Sequence, residues 1–158
     1  MKSHSVEIKY SIFSNVEELP QEDCVLIEKA QSASLSAYAP YSRFQVGAAV
    51  LLGNGEIIIG NNQENASYPE GLCAERVALF AAMAQYPQEQ IKTLAIFANP
   101  MDCELEHFVT PCGACRQVLI EYEQRGNNNI RILCSGKAGG EILVVESAKD
   151  LLPFHFKM

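Results

Sequence analysis

The chain has 158 residues, of which 48% are hydrophobic and 20% charged. This balance is typical of a globular protein with enough apolar side chains for a full core, and it excludes a disordered chain. Lysine and arginine number 12 against 19 aspartate and glutamate, so the net charge of −7 disfavours nucleic acid as a partner. No apolar run approaches the roughly 20 residues needed to cross a bilayer, and the first residues lack the apolar stretch of a signal peptide. We therefore expect one cytoplasmic domain over residues 1–158, without a membrane partner.

Alternating apolar residues near the start of the chain predict a first strand. Val6, Ile8, Tyr10 and Ile12 are separated by polar neighbours, which is the period of a strand with one covered face. A helix is predicted over residues 21–38, because Pro20 suits its first turn and apolar residues then recur at helical spacing. Pro40 ends this helix.

The rest of the chain alternates strands with helices. The pattern predicts a hairpin of strands Gln45–Leu52 and Glu56–Gly60, a helix that begins near Cys73 and ends at Pro87, a strand at Thr93–Ala98, a helix from Cys112 to Gly126, and strands at Arg131–Cys134 and Glu141–Val145. Strands that alternate with helices predict a sheet between two layers of helices. The expected fold class is therefore α/β with three layers.

Three cysteines stand at spacings that suit a metal ion. Cys112 and Cys115 form a C-x-x-C pair in a predicted first helical turn, where free backbone N–H groups favour anionic sulfur. Cys73 lies at the start of another predicted helix, so the same reasoning applies. Three ligands with one position left for water are typical of catalytic zinc. Alone, the C-x-x-C pair fits a redox dithiol or part of a zinc ribbon equally well, and the remaining cysteines, Cys24, Cys103 and Cys134, are expected to be ordinary thiols.

The acid beside Cys73 favours the catalytic alternative. Glu75 lies two residues from a predicted ligand, so its carboxylate can reach a water molecule at the metal without binding the ion itself. The alternative is a solvated acid at a helix start. Ligand-x-Glu followed by Pro-Cys-x-x-Cys is the signature of the zinc deaminases, with Cys73 where many members carry histidine.

Two arginines are expected to offset the negative charge of the sulfurs. Three thiolates donate much charge to zinc, and nearby cations would draw electron density off the sulfurs. Arg76 and Arg116 follow ligands closely and are predicted to take this role, the alternative being ordinary surface charges.

Several separate motifs resemble the small, homotetrameric cytidine deaminases. They are YAPYSRFQVGAAVL, NQENASYP, LCAER, TPCGACRQVL and LLPFHF, in this order along nearly the whole chain. The resemblance implies a cytidine-deaminase-like three-layer α/β/α fold with a mixed sheet of about five strands, here with an N-terminal strand extension. It implies one zinc ion per subunit and hydrolysis of cytidine and deoxycytidine to uridine and deoxyuridine in pyrimidine salvage.

The resemblance also implies roles for substrate-contacting residues. Phe44 would stack on the pyrimidine, Asn62 and Glu64 would hydrogen-bond the ribose, and backbone groups of Ala74 and Thr110 would hold the base carbonyl and the leaving amine. Phe156 would complete a site in a neighbouring subunit of a homotetramer, although Phe154 could serve instead. The rival functions are deamination of another aminopyrimidine nucleoside and a non-catalytic zinc-stabilised module.

Overall fold

The computed structural model describes residues 1–102, 105, 107–136 and 140–157, which form a mixed sheet flanked by helices. The helices are α1 (Gln21–Ser34), α2 (Ala74–Gln85), α3 (Gly113–Gly126) and α4 (Ala148–Leu151). The strands are β1 (Ser11–Phe13), β2 (Phe44–Leu52), β3 (Ile57–Asn61), β4 (Ile91–Pro100), β5 (Arg131–Gly136) and β6 (Ile142–Val145). Short 3-10 turns lie at Val16–Glu18 and Tyr68–Glu70.

The sheet has the order β1-β6-β5-β4-β2-β3. Strands β4 and β5 are parallel, and the other neighbouring pairs are antiparallel. The sheet is therefore mixed, with five strands from the body of the chain and β1 added at one edge, as predicted.

Both faces of the sheet are covered, which explains why its central strands are continuously apolar. Because side chains alternate between the faces, Ala48 and Val50 of β2 pack against α2 and α3, whereas Ala49 and Leu51 pack against α1. The two apolar clusters lie on opposite sides of one sheet. The predicted three-layer α/β fold is confirmed.

Helix α2 lies very close to β3. A Cβ atom added at Gly60 would stand 2.5 Å from the Ala78 nitrogen and 2.9 Å from the Ala74 oxygen. Since both contacts are backbone atoms, only glycine allows this approach. Gly60 therefore allows the first turn of α2 to pack directly against the sheet.

A buried carboxylate joins the end of α3 to its neighbours. Glu123 is 2% exposed, and its Oε1 accepts hydrogen bonds from the backbone N–H groups of Ile130 (2.8 Å) and Ala148 (2.7 Å). The Ser147 hydroxyl donates to Oε2 over 3.0 Å. These bonds fix the start of α4 and the approach to β5 relative to α3.

The two largest differences from the predicted element boundaries lie at β1 and α1. The first strand was expected at Val6–Ile12 but spans Ser11–Phe13, because β6 has only four residues and pairs with three of β1. Helix α1 ends at Ser34 rather than near Tyr38, because the Tyr38 N–H donates to the Asn62 carbonyl, which turns the chain toward β3. The one-turn helix α4 was not predicted.

The cysteines outside the predicted ligand set are Cys24, Cys103 and Cys134. Cys24 and Cys134 are free thiols, and Cys134 is buried, whereas Cys103 lies outside the described residues. Burial raises the pKa of Cys134 to about 12.

Within the described ranges, no helix combines the length and apolarity needed to cross a membrane.

Candidate active site

The three predicted ligands meet between the starts of two helices. Cys73 and Cys112 are the residues directly before α2 and α3, and Cys115 lies in the first turn of α3. Their Sγ atoms lie within 4.8 Å of one another, with 3.7 Å between Cys73 and Cys112 and 3.4 Å between Cys112 and Cys115. Tetrahedral zinc with Zn–S bonds of about 2.3 Å requires sulfurs roughly 3.8 Å apart. The donor set therefore fits one zinc ion.

Helix geometry and a neighbouring guanidinium favour the anionic form of these sulfurs. Both helix starts lack a side-chain cap, so free backbone N–H groups lie near the thiols. Hydrogen bonds from the Cys115 thiol and from Arg76 lower the pKa of Cys73 to about 5. The same hydrogen bond to Cys73, together with burial, raises the pKa of Cys115.

Arg76 contacts a sulfur of the cysteine cluster, which is the contact predicted for it. Its Nη2 is 3.6 Å from the Cys73 sulfur. Its Nε is buried and has no hydrogen-bond partner among the described residues. The guanidinium is therefore directed into the sulfur cluster rather than into solvent.

Arg116 is used differently from the predicted role. Its Nε donates to the Pro111 carbonyl (2.7 Å), its Nη1 to the Leu151 carbonyl (2.8 Å) and its Nη2 to Thr110 Oγ1 (2.9 Å). None of these bonds reaches a sulfur. Arg116 instead links the loop before Cys112 to the end of α4 through these hydrogen bonds.

Glu75 lies in the first turn of α2 and is 5% exposed. Burial is the largest cause that raises its pKa, and the negative charge of Cys73 acts in the same direction. A carboxylate with a raised pKa is a better proton acceptor than a surface carboxylate, and its protonated form can return the proton. Glu75 therefore has the properties of a general acid and base.

A cavity of about 340 Å³ brings these groups together. It is lined by four of the predicted substrate-contacting residues, by Glu75 and by two of the predicted ligands: Phe44, Asn62, Ala74, Thr110, Glu75, Cys73 and Cys112. Sequence reasoning missed the other lining residues, which are Ser42, Val46, Ile96 and Val109. The identity of Ile96 carried no signal, because an apolar residue in a buried strand resembles any core residue.

Asn62 and Glu64, the two residues predicted to bind the ribose, form side-chain hydrogen bonds with the protein backbone. Asn62 Oδ1 accepts from the Val46 N–H (2.8 Å), and Asn62 Nδ2 donates to the Phe44 carbonyl (3.0 Å). Glu64 Oε2 accepts from the N–H groups of Tyr41 (2.9 Å) and Ser42 (3.2 Å). The amide and the carboxylate thus fix the segment that carries Phe44.

Glu64 lies in a second cavity rather than in the first. This cavity measures about 370 Å³, shares Ser42 with the first, and is also lined by Tyr41 and Tyr68. Desolvation of Glu64 acts to raise its pKa, but the hydrogen bonds from the Ser42 side chain and from backbone N–H groups outweigh it, so the pKa is lowered. The cavity beside the site therefore carries a negative charge.

Two aromatic residues near the end of the chain lie outside the site cavity. Phe154 is 86% and Phe156 is 71% exposed, and neither ring lines the cavity. The predicted contact of Phe156 with a site is therefore not made within one copy of the chain.

Comparisons with known proteins point to one family. The family model of the cytidine and deoxycytidylate deaminase zinc-binding region matches residues 20–127. The chain is 47% identical over 97 residues to a cytidine deaminase of Halalkalibacterium halodurans, covering 61% of this chain and 69% of that protein. It is 29% identical over 141 residues to a blasticidin-S deaminase of Bacillus cereus, covering 87% and 94%.

Solved structures agree with this result. The crystal structure of a cytidine deaminase from Burkholderia pseudomallei superposes with a TM-score of 0.72 at 42% identity, over 84% of this chain and 97% of that chain. A cytidine deaminase from Mycobacterium tuberculosis gives 0.63 at 34% identity, over 85% and 96%. The zinc-binding region of the family contains the sulfur cluster and Glu75. The chain therefore belongs to the cytidine and deoxycytidylate deaminase family.

Proposed function

We propose that this protein hydrolyses cytidine and deoxycytidine to uridine and deoxyuridine with release of ammonia. The observation that carries the proposal is the buried Glu75, which lines one cavity together with Phe44 and with two residues of the three-cysteine cluster. A non-catalytic, zinc-stabilised module has no need for a buried acid in such a cavity.

Cys73, Cys112 and Cys115 would hold the metal. Zinc at this position supplies Lewis-acid activation of water. Arg76 offsets the charge of the three thiolates through its contact with Cys73.

Glu75 moves the protons of the reaction. It takes a proton from the attacking water, whose oxygen forms a bond to C4 of the cytosine ring. It delivers this proton to N3, then takes the second proton from the hydroxyl now on C4 and delivers it to the amine, so that a C4=O bond forms as the C4–N bond breaks and ammonia leaves. Water and cytidine are thus converted to uridine and ammonia, without an organic cofactor.

The remaining predicted residues bind the nucleoside. Phe44 stacks on the base, backbone groups of Ala74 and Thr110 hold the base carbonyl and the leaving amine, and Asn62 and Glu64 bind the ribose. Asn62 lines the site cavity and Glu64 lines the adjoining cavity, which supports this assignment of residues to the base and to the ribose. The ionised Glu64 disfavours a substrate with a phosphate group nearby.

The proposal extends to assembly and context. We propose one domain over residues 1–158, a homotetramer in which Phe156 completes the site of a neighbouring subunit, and a cytoplasmic role in pyrimidine salvage. The free state of the five described cysteines supports a reducing compartment. The exposure of Phe156 supports its use between subunits.

One observation favours a second candidate function. The relative from Bacillus cereus that covers 87% of this chain is a blasticidin-S deaminase. A cytosine nucleoside with a larger substituent than ribose is therefore the alternative substrate.

The test combines metal analysis with ultraviolet absorbance on purified protein. Cytidine, deoxycytidine, cytosine, deoxycytidylate and blasticidin S are offered separately, and loss of the aminopyrimidine absorbance is followed. The proposal expects one zinc per chain and fast turnover of the two nucleosides. Turnover of blasticidin S alone favours the second candidate, and zinc without any turnover favours a non-catalytic module.

A further inference from the structure

The segment that follows α4 carries two exposed aromatic rings in a defined position. This aromatic segment, residues 152–157, contains Phe154 and Phe156. Arg116 holds the chain just before it through the Leu151 carbonyl. The segment therefore starts from a fixed point on α3.

Gln117, the next residue of α3, holds Phe156 on both sides of its Cα atom. Gln117 Oε1 accepts from the Phe156 N–H (3.0 Å), and Gln117 Nε2 donates to the Phe156 carbonyl (3.2 Å). Two bonds to the N–H and carbonyl of one residue fix its backbone and hence the direction of its Cα–Cβ bond. The Phe154 backbone makes no hydrogen bond within the described part of the chain.

A phenylalanine whose backbone is fixed while the residue stays 71% exposed indicates a surface covered by another molecule. Fixing a residue costs conformational entropy, and this chain buries little of the Phe156 ring in return. Covering such a ring by a partner recovers that free energy. The site cavity is open and has apolar walls in Phe44, Val46 and Val109, so it suits a phenyl ring as its cover.

We propose that Gln117 is the positioning residue that presents Phe156, and not Phe154, to the site cavity of a second copy of this chain. The inference rests on the proposed function, in which sites are shared between subunits. Gln117 does not touch the reacting atoms. It lies two residues after Cys115, so the helix that begins beside two predicted metal ligands also holds the residue offered to the neighbour.

The test measures KM and kcat for cytidine with Gln117→Ala, Phe156→Ala and Phe154→Ala. Gln85→Ala is the matched control, because the Gln85 amide bonds only its own helix, at Ala81. We expect Phe156→Ala to raise KM about 10-fold and Gln117→Ala to raise it about 3- to 10-fold, each with kcat within about twofold. Phe154→Ala and Gln85→Ala should leave both constants unchanged.

A double variant separates positioning from a general structural effect. If Gln117 acts through Phe156, then Gln117→Ala/Phe156→Ala should have the KM of Phe156→Ala alone. Chymotrypsin, which cuts after accessible phenylalanine, should cleave the aromatic segment faster in Gln117→Ala than in Gln85→Ala. Should Gln117→Ala fail to fold, Gln117→Asn replaces it, because the shorter amide cannot reach both backbone atoms of Phe156.

Each unexpected result of this test contradicts a different claim. An unchanged KM in Gln117→Ala beside a raised KM in Phe156→Ala overturns the positioning role and leaves the proposed function intact. A raised KM in Phe154→Ala with none in Phe156→Ala overturns the choice of ring. A protein without substitutions that forms no uridine overturns the proposed function and this inference with it.

Discussion

Glu75 combines burial with a position next to a sulfur anion, and both properties bear on its proposed use as a proton carrier. A surface carboxylate with an ordinary pKa is a weak base and would take a proton from water poorly. Burial raises the pKa of Glu75, which makes its carboxylate a better proton acceptor. The same burial keeps competing water away from the carboxyl group.

We expect Glu75→Gln to retain zinc and to lower kcat by about 100- to 10,000-fold, since the amide keeps the shape and removes the proton transfer. The measurement is metal content together with the cytidine absorbance assay. Glu121→Gln, an exposed position on α3, is the control and should behave as the unsubstituted protein. Residual turnover within about tenfold of normal would contradict the role of Glu75.

Arg76 is the cation in contact with the sulfur cluster. Its removal leaves three thiolates with less compensation, so we expect Arg76→Ala to lower zinc affinity or turnover by about 10- to 100-fold. Competition with a chromogenic chelator measures the affinity. Arg125→Ala, at the far end of α3, is the matched control. Full zinc content and full turnover in Arg76→Ala would show that helix N–H groups alone offset the charge.

At the scale of elements, the site depends on how closely α2 approaches the sheet. We expect Gly60→Ala to lower the free energy of unfolding by about 2 kcal/mol or more, because the added methyl group meets backbone atoms of α2. Urea denaturation provides the measurement. Gly113→Ala is the control, because a Cβ there meets nothing within 4 Å. Equal stability of the two variants would mean that α2 can shift away at little cost.

The buried carboxylate of Glu123 is the second element-scale feature. We expect Glu123→Ala to lower the free energy of unfolding by about 3 kcal/mol, because it leaves the N–H groups of Ile130 and Ala148 without their acceptor. Glu121→Ala changes an exposed acid of the same helix and should alter stability by less than about 0.5 kcal/mol. A similar urea midpoint for both would assign Glu123 no such role.

Sequence reasoning located elements and chemistry where residue type and spacing coincide. Cys73, Glu75 and the C-x-x-C pair were recognisable because few arrangements other than a metal site need them together. Arg116 was assigned to the sulfurs from spacing alone, but its partners at Pro111 and Leu151 depend on how α3 and α4 pack. The use of Glu123 depends equally on two segments distant in sequence, so no local pattern could indicate it.

At the scale of the whole molecule, the proposed sharing of sites predicts complementation between two different variant subunits. In a mixed assembly, a Phe156→Ala subunit keeps its own Glu75 and can receive Phe156 from a Glu75→Gln neighbour. We therefore expect co-expressed Glu75→Gln and Phe156→Ala chains to show a lower KM than Phe156→Ala alone.

The control for complementation replaces Glu75→Gln with the double variant Glu75→Gln/Phe156→Ala, which offers no ring and should give no gain. Light scattering should give an assembly mass about four times the 17.4 kDa of one chain. A monomer with full activity would contradict shared sites.

The pairing of β1 with β6 joins Ser11 to Val144, positions near opposite ends of the described chain. During synthesis on a ribosome, β1 is among the first segments made and β6 among the last. The first strand made must therefore wait for one of the last. Folding of this protein should thus include a slow, non-local step in which the edge of the sheet is completed.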